Sequence, residues 1–290
     1  MWDIIFRGSI NGAIFSLIAV GLNLQYGVTR ILNIAHGDFL MLGALITSFL
    51  FQFYGVNPLV SLAISGPTVF VIGVLIYIIV CRKLVRQSKS AEELEARSLL
   101  ACFGLMFVVQ NAISLIIRYN PAMQLSTARY LKEPITILGE TLELNKVVAT
   151  FTAIIISILL YIMLRSANVG LAMRATAQEP TGAQVVGINI SGVHMISFGL
   201  SVLLSALGGS LMSMIIPNLS PLTGPTYTFI ALAVIVIGGT GSFIGSLVGG
   251  FLMGYVYYAT SKMENLLTMP VVYAFIIITL LVRPKGLFGR

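Results

Sequence analysis

The chain has 290 residues, of which 57% are hydrophobic and only 9% charged, with a formal net charge of +7. Soluble domains usually carry about 25% charge, so this composition excludes a water-solvated globule and makes lipid the solvent for much of the surface. The excess of positive charge does not indicate nucleic acid, because the basic residues are scattered through short connections rather than gathered on one face.

In chain order, apolar runs long enough to approach a bilayer's thickness cover 9–27, 38–54, 58–80, 98–117, 147–164, 192–216, 227–240, 243–260 and 267–282. A crossing needs about 20 residues. The run 227–240 is short and reads as half of a broken or re-entrant helix. The expected class is therefore an all-α polytopic membrane protein with about eight spans, or nine if that run crosses alone, in a single domain over 1–290. The first residues, MWDIIFRGSI, lack a basic leader and a cleavage pattern, so no removable signal is expected.

Loop charge sets the sense of insertion. One set of connections carries eleven basic residues: Arg30, the group from Arg82 to Arg97, Arg165, Arg174, Arg283, Lys285 and Arg290. The other carries six: Arg7, Arg118, Arg129, Lys132, Lys146 and Lys262. The first set belongs to the cytoplasm. That places 165–190 and the C-terminus inside, and 118–146 and the N-terminus outside.

Between Tyr26 and Ala44 the chain reads YGVTRILNIAHGDFLMLGA, with one of its two histidines, His36, and the one acid between Asp3 and Glu92, Asp38. A polar cluster among apolar runs is costly to maintain. Gly27, Gly37 and Gly43 suit a helix break or a close backbone approach, and backbone exposed at such a break can coordinate a polar solute. Asn23, Asn33, His36 and Asp38 are the candidate pathway or gating residues. The plainer alternative is a cytoplasmic turn in which Asp38 caps the next helix and His36 rests at the interface.

The segment RSANVGLAMRATAQEPTGAQVVGINI (165–190) is mildly amphipathic. Pro180 suits the first turn of a short helix, Glu179 is favourable at its N-terminus, and Gly187 suits its stop. Such a helix on the cytoplasmic face is a natural docking element. Small residues recur every fourth position at Ser201, Ser205, Gly209 and Ser213, and again at Gly241, Gly245 and Gly249. This spacing lets helices pack backbone to backbone in lipid. In the tail LLVRPKGLFGR, Arg283 and Lys285 anchor the last span, and Pro284 with Gly286 ends it.

No G-x-x-x-x-G-K-[ST], H-E-x-x-H or C-x-x-C string occurs, and no nucleophile elbow. Neither a catalytic nor a metal site is expected, and no cofactor is expected to bind this chain. Cys81 and Cys102 are too few for a disulfide framework.

Four blocks carry a resemblance. GLNLQYGVTRILNIAHGDFLMLGA (21–44), ATAQEPTGAQVVGINI (175–190), IGGTGSFIGSLVGGFLMG (237–254) and LLVRPKGLFGR (280–290) resemble, in that order, the signatures of permeases of branched-chain amino acid ABC importers, of the LivH type. The resemblance implies a type II importer-like permease fold in the inner membrane. It implies a LivM-type second permease, two cytoplasmic ABC ATPases that use ATP and Mg, and an extracytoplasmic amino-acid-binding protein. It makes Arg174, Glu179 and Gly187 the expected ATPase-coupling residues. The chain departs from the pattern at Ile230 and Tyr257, where the family often has Lys and Glu; related permeases serve urea and short amides. The rival class is a self-sufficient channel or secondary carrier for a small neutral solute.

Overall fold

A computed structural model describes residues 2–120, 122–137, 139–283 and 286–288. The helices are α1 (Trp2–Thr29), α2 (His36–Tyr54), α3 (Pro58–Ile76), α4 (Arg82–Gln87), α5 (Ala91–Tyr119), α6 (Leu144–Ser166), α7 (Asn168–Gln178), α8 (Pro180–Val185), α9 (Ile190–Ile215), α10 (Gly224–Gly238), α11 (Phe243–Met263) and α12 (Thr268–Val282). A π-type turn, Tyr77–Cys81, joins α3 to α4 without interruption, and a 3-10 turn, Pro221–Thr223, leads into α10. Among the described residues, nine helical stretches are long and apolar enough to cross a membrane, the higher of the two expected counts. Of the tail residues, Pro284, Lys285 and Arg290 lie outside the described residues.

Side-chain caps explain several helix starts. Asn57 Oδ1 accepts from the Leu59 amide ahead of α3, Ser90 Oγ from Glu93 ahead of α5, Asn189 Oδ1 from Gly192 ahead of α9, and Ser242 Oγ from Gly245 ahead of α11. Each satisfies an amide that the helix itself leaves free. Outside the helices, β1 (Pro134–Ile137) and β2 (Glu140–Glu143) form an antiparallel hairpin with Ile135 opposite Leu142. The sequence reading did not anticipate this hairpin in the 118–146 connection.

The core lies where α1 and α9 pack on each other. Ile14, Phe15, Leu17, Ile18, Phe198 and Val202 are fully or almost fully buried there. Two three-helix units meet at this place. α1 is followed by a non-helical stretch, Arg30–Ala35, and then α2 and α3; α9 is followed by 216–223, and then α10 and α11. α1 packs along α11 as α9 packs along α3. The contacts are made by small residues: Gly12 faces Gly254 and Ser16 faces Gly250 in the first pair, while Gly73 faces Val202 and Gly199 faces Phe70 in the second. This is the arrangement of an inverted repeat, which the sequence alone did not reveal.

The two ends of the bundle separate as the loop charges require. At one end Asp3 pairs with Arg7 and Lys262, each at 2.6 Å, Gln52 donates to the Gln124 and Ser126 carbonyls, and Asn57 donates to Tyr130. At the other, Tyr26 donates to Glu95, and the Leu287 and Phe288 amides bond the Ile237 and Gly238 carbonyls. In a background with Cys81→Ser and Cys102→Ser, Glu133→Cys should react with a membrane-impermeant maleimide in intact cells. Gln178→Cys should react only after permeabilisation. The opposite pattern would invert the topology.

Candidate functional site

The polar cluster lies at the meeting of two helix N-termini. α1 ends at Thr29, just before Arg30, whose φ of 55° is left-handed, and the chain turns back beside its own helix before α2 begins at His36. The break is therefore made by Arg30 and the stretch 30–35, and of the two uses expected of the glycines, a break or a close approach, the structure shows the second. Gly27, Gly37 and Gly43 sit within helices, and Gly37 and Gly43 serve close approach. A Cβ on Gly37 would collide with the Gly224 carbonyl oxygen, and one on Gly43 with the Ala206 carbonyl.

His36 begins α2 beside the middle of α1. Its Nε2 donates to the Ile18 carbonyl at 3.0 Å, and its Nδ1 lies 3.4 Å from the Ser201 hydroxyl, which donates to it. Ser205 Oγ donates to the His36 carbonyl at 2.6 Å. The ring is wholly buried, not at the membrane interface. The Gly37 amide donates to Thr228 Oγ1 at 2.8 Å, and the Thr228 hydroxyl donates to the Ile34 carbonyl at 2.9 Å. Thr228 belongs to the first turns of α10, so α2 and α10 start at the same level and run to opposite ends of the bundle. With 15 residues, α10 is about 22 Å long and too short to cross alone; the 3-10 turn ahead of it extends the helical stretch to 18 residues.

Asp38 lies in the first turn of α2 and faces Gly224 at the start of α10. It does not cap: Ala35 holds the N-cap position and makes no side-chain cap bond. Both Asp38 carboxylate oxygens and both polar atoms of the Asn33 side chain are buried without a hydrogen-bond partner among the described residues. The partial positive charge of two helix N-termini at this point favours a negative group there. Asn23 differs from these two. It is fully engaged, donating from Nδ2 to Ser246 Oγ (2.6 Å) and the Ser242 carbonyl (3.0 Å) and accepting from the Gly241 amide (2.6 Å). It latches α1 to the corner between α10 and α11.

Most of the small-residue positions fall at helix crossings. A Cβ on Gly209 would collide with the Leu40 carbonyl, one on Gly245 with the Gly238 carbonyl, and one on Gly249 would come within 2.9 Å of the Val234 carbonyl. Ser213 instead bonds Thr127, in the connection between α5 and α6, at 3.0 Å. Gly241 is a second exception. It lies in the turn before α11 with φ of 79°, and nothing stands within 4 Å of the Cβ position, so backbone conformation rather than helix packing requires it. At the departures from the family pattern, Ile230 is in the core and Tyr257 meets Phe15 edge-on at 5.3 Å.

The segment 165–190 forms two helices, not one. α8 starts at Pro180 and ends ahead of Gly187, whose φ is 89°. α7 precedes it, turned from α6 at the extended residue Ala167, and a Cβ on Gly170, within α7, would strike the Leu164 carbonyl. The Arg174 guanidinium bonds the Leu164 carbonyl and reaches the Arg165 carbonyl at 3.4 Å, satisfying orphan groups at the α6 C-terminus. Glu179 is exposed at the N-cap of α8, and Val185 and Val186 are more than three-quarters exposed at its tip. Between this unit and the Asn23 latch is a cavity of about 560 Å³, whose walls include Asn23, Gly27, Arg174, Gly241 and Phe243.

Known proteins are similar to this chain in sequence over almost its whole length. The family described as branched-chain amino acid transport system / permease component matches residues 4–282. The chain is 28% identical to the probable branched-chain amino acid transport permease LivH of Methanocaldococcus jannaschii, covering 94% of this chain and 88% of that one. It is 26% identical to the high-affinity branched-chain amino acid permeases LivH of Escherichia coli and BraD of Pseudomonas aeruginosa, each over 98% of this chain and 94% of the relative.

Gly37→Ala should destabilise the protein by about 1–3 kcal/mol through overpacking. Gly104→Ala, on the open face of α5 with nothing within 4 Å, should be neutral or stabilising by up to about 1 kcal/mol. Thermal unfolding in detergent measures both; equal effects would deny the tight crossing of α2 and α10.

Proposed function

The chain belongs to the permease component family of branched-chain amino acid transport systems, an integral membrane family of the inner membrane, and from that premise we propose that it is one permease half of an ATP-driven importer of branched-chain or related hydrophobic amino acids. The observation that carries the reading is the exposed α7–α8 unit, braced to α6 by Arg174 and presenting Glu179, Val185 and Val186 at its tip. A chain without a nucleotide-binding loop needs a surface through which another protein can move it, and this unit has the shape of one.

In this reading two cytoplasmic ATPases supply ATP and Mg chemistry, and a LivM-type permease completes the membrane part. A binding protein delivers the solute on the extracytoplasmic side. α8 seats on an ATPase, with Glu179 as its polar contact and Gly187 allowing its sharp exit. Closure of the ATPases displaces α7, and the Arg174 brace passes that displacement to α6. The cavity beside α7 leaves room for the shift, and the Asn23 latch carries it to the corner of α10 and α11.

Asn33, His36 and Asp38 then act as gating groups at the point where α2 and α10 diverge. His36 holds α2 to the middle of α1. Asn33 and Asp38 keep unused hydrogen-bonding capacity that a changed packing of the two helices would expose. A zwitterion has two charged ends and no net charge, so a path with a few dipoles and little fixed charge suits it. Substrate choice rests mainly with the binding protein. No residue of this chain performs covalent chemistry in the cycle.

In the reconstituted complex, Glu179→Arg should lower stimulation of ATP hydrolysis by loaded binding protein about ten-fold, within the usual range of a coupling energy, while the complex still assembles. Gly187→Val should act in the same direction, because a β-branched residue at positive φ costs about 1–3 kcal/mol. Unchanged stimulation in both variants would remove α8 from the coupling path.

A further inference from the structure

The continuous helix formed by α3, the π-type turn and α4 ends in a feature that transport does not use. Its first charged residue, Arg82, comes 24 residues after Pro58, a rise of about 36 Å. A hydrocarbon core is about 30 Å thick, so Arg82 lies at the level of the cytoplasmic headgroups. The π-type turn decides which face arrives there. It keeps Tyr77 buried against Phe198 and Cys81 buried beside it, and an inserted residue rotates the next turn of helix by about 100°.

The outward stripe that results changes character within one turn. Val71, Leu75, Ile78 and Ile79 are exposed on its membrane side, Ile79 at 72%. Arg82, Lys83 and Arg86 come next at helical spacing, the first two exposed and Arg86 also facing outward. Ile78, Arg82, Lys83, Arg86 and Gln87 line a cavity of about 370 Å³. Among the described residues none of these three cations is in an ion pair. The acids of the adjoining turn are Glu92, Glu93 and Glu95; Glu93 pairs with Arg97 at 2.6 Å, and Glu95 accepts from Tyr26.

We infer that this stripe is a binding site for an anionic phospholipid of the cytoplasmic leaflet, with the phosphate held by Arg82, Lys83 and Arg86 and an acyl chain lying along Ile78, Ile79 and Leu75. Charge complementarity and depth single out a lipid. A free anion would gain nothing from the apolar half, and a soluble protein could not reach Leu75. Basic groups at the headgroup level each favour anionic lipid by about five-fold in binding.

The test uses the full chain, in its native assembly, reconstituted in nanodiscs of equal phosphatidylglycerol and phosphatidylcholine. Retained lipid is then counted by native mass spectrometry. The wild type should retain phosphatidylglycerol selectively. The triple variant Arg82→Gln, Lys83→Gln, Arg86→Gln should lose roughly a hundred-fold of that preference, and Lys132→Gln, on the opposite face of the membrane, should lose none. Ile79→Asn should weaken retention without changing charge, which separates a lipid from a simple anion. Undiminished selectivity in the triple variant would overturn the site. So would displacement of the lipid by millimolar inorganic phosphate, or loss of a cytoplasmic subunit from the triple variant with lipid retention unchanged.

Discussion

Two helices that begin inside a membrane protein must have their free amides satisfied by the protein itself, because lipid offers no hydrogen bonds. The rest of this structure depends on how that demand is met at Gly37 and Thr228. One hydroxyl accepts from the first turn of α2 and donates to the chain that leads into it. The same residue lies in the first turns of α10, so a single side chain ties the start of one helix to the start of the other. Glycine at 37 and 224 is what lets the two backbones come this close. His36 and Ser205 then fix the crossing to α1 and α9. Loss of the Thr228 hydroxyl would leave the buried Gly37 amide without this partner, at a cost of about 1–3 kcal/mol.

From that crossing the architecture is built outward. α2 and α10 diverge toward opposite faces, and the long helices before them pack on each other and on the third helix of the opposite unit. The packing is of small residues on carbonyls, since apolar burial gives no net drive between helices in lipid. The α7–α8 unit lies outside this core yet is mechanically joined to it. Arg174 braces it to α6, while Asn23 ties α1 to the α10–α11 corner across the cavity. A displacement at the exposed tip of α8 therefore meets two fixed points rather than a compliant loop. The lipid-facing stripe on α3 and α4 sits apart from both.

Much of this was legible in the sequence, and the remainder was hidden for physical reasons. Long apolar runs announce membrane helices by composition alone. The short run near 227–240 read as incomplete, and α10 does reach spanning length only with its leading 3-10 turn. The cluster around His36 stood out as polar groups in an apolar setting. Its geometry did not, because the partners that satisfy it, Ser201, Ser205 and Thr228, lie more than 160 residues away within apolar helices. Gly37 suggested a break or a close approach and serves the second; the break falls at Arg30, a residue type that rarely takes a left-handed conformation. Pro180 and Gly187 bracketed α8, but α7 was missed because the turn that starts it, at Ala167, carries neither glycine nor proline. Asn23 carries the right chemistry for a pathway residue; only the fold shows that all of its bonds are already committed to the 239–246 corner.

With no nucleotide-binding loop of its own and an exposed, braced α7–α8 unit, this chain should move solute only when another protein moves it. Uptake of labelled leucine into vesicles tests this most directly, comparing the chain alone with the chain in its full assembly, with and without ATP on the cytoplasmic side. Accumulation that requires the assembly and ATP is the predicted result. Leucine flux through the chain alone, without ATP, would contradict it.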